Sequence, residues 1–310
     1  MKKENDLGKD SVGRLVLRLA IPTMIAQFVN ILYSIIDRMY IGNIPKIGDL
    51  ALAGVGICGP IVTLLSSFGT LVGLGGSLLM AMRQGEGNEK EAKRLMSNSF
   101  FMLLVFAVVL TVSFLLLKDK LLLWFGASPI TFPYANTYMT IYTAGTFFAL
   151  MSIGLNYFIT CQGFSQVGMA TVLTGAVTNI LLDPLFIFVF DLGVAGAAVA
   201  TVIGQMASCL FAMGFLFSKK VPIRICFGNY DGRIMLKIIT VGFSPFMILF
   251  TDSVIILITN AVLQKYGGAA QGDLFISGAT IIQSYMMLIT GPLIGISGGT
   301  QAILSYNYGA

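Results

Sequence analysis

Two stretches decide the fold: LAIPTMIAQFVNILYSIIDRMYIG at residues 19 to 42, and VGFSPFMILFTDSVIILITNAVLQKYG at residues 241 to 267. Each is an apolar run long enough to cross a bilayer, for which an α-helix needs about 20 residues. They also resemble each other. Pro22 aligns with Pro245, and fifteen residues later Asp37 aligns with Asn260. The match continues downstream, where Gly54, Gly75 and Gly85 fall on Gly278, Gly299 and Gly309 at an offset of 224. An internal repeat of this kind is the most informative feature of the chain's organisation.

The same hydropathy criterion gives eight spans, at roughly 15–41, 50–82, 95–117, 133–160, 168–190, 194–217, 235–263 and 274–306. The second and eighth contain Pro60 and Pro292 with many glycines, so tilting or kinking is expected there. The second copy of the repeat starts six spans after the first, an even number, so both copies cross the membrane in the same direction. Parallel repeats related by an axis along the membrane normal build transporters. The expected organisation is a lobe over residues 1–220, then a cytoplasmic linker and the first two helices of a second lobe over residues 221–310. A complete second lobe would make a chain of roughly 440 residues, doubling the repeat.

Composition agrees and excludes other classes. Of 310 residues 56% are apolar and only 11% charged, with mean hydropathy +0.87, where a soluble domain carries about 25% charged residues. There is no histidine, which removes the usual general base, proton shuttle and metal ligand. Cys58, Cys161, Cys209 and Cys226 form no CxxC pair and suggest neither zinc nor a disulfide framework. No enzymatic activity and no cofactor are expected.

The net charge of +5 reports orientation rather than nucleic-acid binding. Lys2, Lys3, Lys9, Arg14 and Arg18 precede or open span one, Arg83, Lys90, Lys93 and Arg94 follow span two, and Lys219, Lys220, Arg224, Arg233 and Lys237 follow span six. The opposite side holds Arg38, Lys46, Lys118, Lys120 and Lys265. This bias places the N-terminus in the cytoplasm of a multi-pass cell-membrane protein.

Only Asp37, Asp183 and Asp252 are acidic residues well inside spans, while Glu4, Glu86, Glu89 and Glu91 lie in the N-terminal tail and first cytoplasmic loop. An intramembrane carboxylate is by default a functional-site candidate. Gln27, Asn30, Ser34 and Asp37 follow spacings of 3, 4 and 3, which puts them on one helix face expected to look inward. Asp183 has Asn179 one turn before it and Pro184 after it, and a proline frees a carbonyl. Span six adds Thr201 and Gln205, again one turn apart. Two carboxylates, an amide and a hydroxyl make an oxygen set able to hold a proton or a hard monovalent cation. The competing reading is that these groups only tie helices together. Glycine pairs such as Gly69 and Gly73, or Gly291 and Gly295, have the spacing of close helix packing.

Five stretches together resemble the multidrug and toxic compound extrusion (MATE) transporters: LAIPTMIAQFVNILYSIIDRMYIG at 19 to 42, LALAGVGICGPI at 50 to 61, GLGGSLLMAMRQGEGNEKEA at 73 to 92, TNILLDPLFIFVFDLGVAGAAVAT at 178 to 201, and the ending SYNYGA. The resemblance implies an all-α fold of two six-helix lobes around a central cavity, exporting amphipathic or cationic compounds in exchange for protons or sodium ions. It implies a coupling site, for a proton or sodium, at Asp37, Asn179, Asp183 and Thr201, with Gln27, Asn30, Ser34 and Gln205 as candidates for the substrate cavity. Two alternatives stay open: a lipid-precursor flippase of the same superfamily, which would be expected to line its cavity with basic residues, and a non-transporting truncated fragment.

Overall fold

The computed structural model describes residues 7, 8 and 10–310, excluding the side chains of Ala269, Ala270 and Asp273. Lys2, Lys3, Glu4 and Lys9 lie outside the described residues. The described chain is helical throughout, with no strand among the described residues. Its helices are α1 (Val12–Gly42), α2 (Gly48–Gly85), α3 (Glu89–Trp124), α4 (Phe132–Ala144), α5 (Thr146–Cys161), α6 (Ser165–Pro184) and α7 (Gly193–Phe217). Two more follow, α8 (Gly232–Gly268) and α9 (Leu274–Gly309). The break between them falls at Gly268, whose φ of 61° and ψ of −167° suit a residue without Cβ.

Seven of these elements are single spans, and α4 with α5 make an eighth bent by 57°. The bend corrects the expectation of a continuous span over 133–160. Gly145 lies at the break, where its N–H is shared between the carbonyls of Ile141 and Tyr142 at 3.2 and 3.0 Å. A Cβ there would come within 2.7 Å of Val202 Cγ1, so α7 packs directly on the bare backbone and the span turns around it. Pro60 and Pro292, by contrast, lie inside helices with no break at either.

The repeat is visible as reciprocal contacts. Gly85 meets the carbonyl of Tyr306, and Gly309 meets the carbonyl of Met82. Gly85 and Gly309 are 224 residues apart, and so are Met82 and Tyr306. Gly56 and its own counterpart Thr280, again 224 apart, touch each other, with the site of a Gly56 Cβ 2.9 Å from Thr280 Oγ1. Residues related by the duplication therefore face one another across an approximate two-fold axis between α2 and α9, which run in the same direction. This makes α2 the central helix: 61% of its most apolar window is buried, against 17–33% for the other unbent spans. The glycine pairs serve as spacers, since a Cβ on Gly73 would be 2.7 Å from Gly154 Cα and one on Gly295 would be 2.5 Å from Met24 Cα. The architecture is the expected all-α, two-lobe membrane fold, with six spans in the first lobe and two that repeat its opening pair.

The connection between α7 and α8 is fastened to the first six spans. Gln162, at the α5–α6 turn, donates to Ile223 O at 3.2 Å and accepts from Ile223 N at 2.9 Å. From α3, Ser97 Oγ donates to Gly228 O at 2.8 Å, and Asn98 donates to Asn229 O at 3.2 Å while accepting from Asp231 N at 2.8 Å. Arg94 adds ion pairs to Glu91 and Asp231 at 2.8 and 3.4 Å. Inside this strap the Cys226 thiol donates to Lys93 O at 3.2 Å, and burial pushes it up against the opposing pull of the Lys93 ammonium. Losing two buried hydrogen-bonded side chains costs on the order of 2 kcal/mol. The double change Gln162→Ala with Asn98→Ala is therefore expected to speed maleimide labelling of Cys226 about thirtyfold. The other three cysteines are buried and give little background. An unchanged labelling rate would show that the strap is not held by these side chains.

Candidate functional site

Glycines set the site's geometry before any polar group is considered. A Cβ on Gly175 of α6 would lie 3.0 Å from Gly204 O of α7, and a Cβ on Gly204 would lie 2.8 Å from Gly175 O. The two backbones are thus in direct contact. That approach brings Asn179, one turn beyond Gly175, against Thr201, so that Asn179 Nδ2 donates to Thr201 Oγ1 at 3.3 Å and to Asp183 Oδ1 at 3.3 Å. Thr201 Oγ1 in turn donates to Ala197 O at 3.0 Å. From the other side α1 packs on α6 and sets the Asp37 carboxyl near that of Asp183.

All four side chains are buried: Asp37 is 7% exposed, Asn179 2%, Asp183 0% and Thr201 7%. Three of their oxygens, Asp37 Oδ1, Asn179 Oδ1 and Asp183 Oδ2, have no hydrogen-bond donor among the described residues. A buried acceptor without a donor is costly, and three at one place make a pocket of negative potential whose natural complement is a proton or a small hard cation. Beyond Asp183 the helical hydrogen-bonding pattern changes at Pro184, which has no N–H to give to the preceding turn. It passes into a π-helical turn, Leu185–Val189, closed by Phe190 N donating to Leu185 O at 2.9 Å. Such turns are frequent at functional sites.

The remaining candidates separate from this cluster. Gln205 lies a turn away, donating through Nε2 to the Tyr142 hydroxyl at 3.1 Å while its buried Oε1 has no donor among the described residues. Along α1, Gln27 and Ser34 are half-buried and Asn30 is exposed, so the polar stripe is graded and only Asp37 enters the packed interior. Asp252 is exposed on α8, beside Thr251 and Met247, and does not join the carboxylate pair. Sequence reasoning missed the tyrosines. Tyr33 lies near both carboxylates, and Tyr138 is close to Asp37 and to Thr201. Tyr138 and Tyr142 stack at 6.2 Å between ring centroids. Their signal was spacing: Tyr134, Tyr138 and Tyr142 recur every four residues on α4, and Tyr33 precedes Asp37 by four.

Comparison with known proteins places the chain. A family model described as MatE matches residues 22–185. Among curated relatives, the multidrug export protein MepA of Staphylococcus saprophyticus is 25% identical over 303 residues, covering 97% of this chain and 65% of its own length. MepA of Staphylococcus aureus strain NCTC 8325 / PS 47 is 24% identical over 302 residues, with the same coverage. The chain thus spans about two-thirds of the length of the curated relatives it matches. Among solved structures, the MATE multidrug transporter DinF-BH in complex with rhodamine 6G superposes with a TM-score of 0.92 at 30% identity, covering 100% of this chain and 69% of that one. The chain belongs to the MATE family of membrane proteins.

Proposed function

We propose that the chain works in secondary active multidrug efflux, exporting amphipathic or cationic compounds in exchange for protons or sodium ions, without enzymatic chemistry or a resident cofactor. The observation that carries this reading is the buried group of Asp37, Asn179 and Asp183, each with one oxygen that has no hydrogen-bond donor among the described residues. A structural tie between helices would satisfy its acceptors, whereas a site that takes up and releases a cation needs them available. The multidrug export of the MepA relatives and the rhodamine 6G bound to the DinF-BH neighbour support the substrate class. In this reading residues 1–220 move as one lobe and residues 221–310 supply the linker and the opening helices of the second. The protein resides in the cell membrane with its N-terminus in the cytoplasm, because Arg14, Arg18 and the basic loops around Arg83–Arg94 and Lys219–Lys237 share that end.

The test is uptake of a fluorescent cationic dye by vesicles containing the chain, with an imposed pH gradient or an imposed sodium gradient. Transport driven by one gradient names the coupling ion, and transport driven by neither refutes the exchange. Thr201→Ala is expected to raise the ion concentration for half-maximal transport about fivefold, since it removes one hydrogen-bonding oxygen worth about 1 kcal/mol from the set. An unaltered ion dependence would take Thr201 out of the site.

A further inference from the structure

We propose that Arg38 is a positioning residue of the transport cycle, a polar tie that holds the Gly42 end of α1 to α9 and thereby sets how often the two lobes part at that end. The inference rests on reading the chain as an exporter whose lobes move. Arg38 Nη1 donates to Ser284 Oγ and to Thr280 O, the latter at 3.4 Å, and Ser284 Oγ donates to the same carbonyl at 2.8 Å. These partners lie 242 and 246 residues away in sequence, on a helix of the second lobe. The guanidinium reaches them past α2, where Gly59 leaves room: a Cβ there would lie 3.8 Å from Arg38 Nη2. Thr280 itself touches Gly56 at the approximate two-fold axis, so the tie is made where α1, α2 and α9 converge.

The neighbouring residue gives the contact its meaning. Successive helix residues point about 100° apart, so Asp37 turns toward α6 and the carboxylate cluster while Arg38 turns toward α9. Asp37 also supplies opposite charge beside the guanidinium. One turn of α1 therefore grips both the candidate ion site and the facing lobe. The tie has no counterpart in the duplicated half, because the residue that follows Asn260 is Ala261. Separating the lobes at this end strips a half-buried cation of its acceptors on α9, and a charge-assisted hydrogen bond weights such an equilibrium by about tenfold or more.

The experiment measures lobe separation directly. Spin labels at Ile130→Cys, in the exposed α3–α4 loop, and at Tyr266→Cys, exposed near the end of α8, report distances at the Arg38 end in a Cys226→Ser background of the chain in vesicles. Arg38→Gln is expected to raise the ratio of the long-distance to the short-distance population about tenfold, Arg38→Lys to return it toward the wild-type value, and Ser284→Ala to shift it the same way by a smaller factor. Distance distributions for Arg38→Gln and Ser284→Ala that superimpose on the wild type overturn the proposal. If Arg38→Gln fails to insert, an unshifted Ser284→Ala overturns it alone. Dye export by Asp183→Asn is measured in parallel. Normal export there refutes the exchange reading and leaves the distance result to decide the tie on its own terms.

Discussion

Asp37→Asn and Asp183→Asn should each reduce ion-driven dye export to the level of empty vesicles while the protein still inserts and stays monodisperse. The amide preserves the shape of the side chain and its capacity to accept a hydrogen bond, so packing around α1 and α6 has little reason to fail. What is lost is the titratable charge and one of the two carboxylate groups that face each other in the cluster. A purely structural pair predicts the opposite pattern, because helix-to-helix hydrogen bonds in membranes average well under about 2 kcal/mol and their loss would lower the melting temperature without stopping transport. Asn179→Ala gives an intermediate case. It removes the donor that holds Asp183 Oδ1 and Thr201 Oγ1 at 3.3 Å each, and should weaken ion dependence without abolishing it. Wild-type export by both carboxylate variants at equal protein levels would refute the coupling role.

How much of this was legible in the sequence depends on range. Spans follow from local hydropathy, and each of the eight corresponds to helix in the structure. The Asn179 and Asp183 pair follows from helical spacing, because neighbours four apart share a face whatever surrounds them. The meeting of Asp37 with Asp183 across 146 residues was accessible only through the inward stripe and the family resemblance, since no local rule says which faces of α1 and α6 touch. The bend at Gly145 was not legible at all. A glycine in an apolar span marks a close approach as often as a break, and the deciding partner, Val202, lies on α7. The tyrosines were passed over for a similar reason, because Tyr138 in isolation reads as apolar packing and gains a role only when the fold brings it close to Asp37 and Thr201. Arg38 read as a charge near a span's end, and its partners Thr280 and Ser284 belong to the second copy of the repeat.

The largest stability effect is expected at the glycine crossing of α2 and α8. A Cβ on Gly242 would overlap the carbonyl of Leu71, and a Cβ on Gly75 would overlap the carbonyl of Ile238 and stand 2.8 Å from Gly242 N. The obstacles are backbone atoms of well-packed helices, so neither side chain nor rotamer adjustment can relieve the contact, and the helices must separate. Overpacking of this kind costs about 3 kcal/mol, and Gly242→Val should correspondingly lower the melting temperature of the solubilised protein and broaden its elution. Gly214→Ala is the control: nothing lies within 4 Å of a Cβ there, and the helix gains up to about 1 kcal/mol in propensity. The double change Gly75→Ala with Gly242→Ala separates two explanations. If both glycines serve one crossing, the first substitution already forces the helices apart and the second adds little, giving a loss well below the sum of the single effects. Additive losses would mean that each glycine relieves a separate contact between α2 and α8.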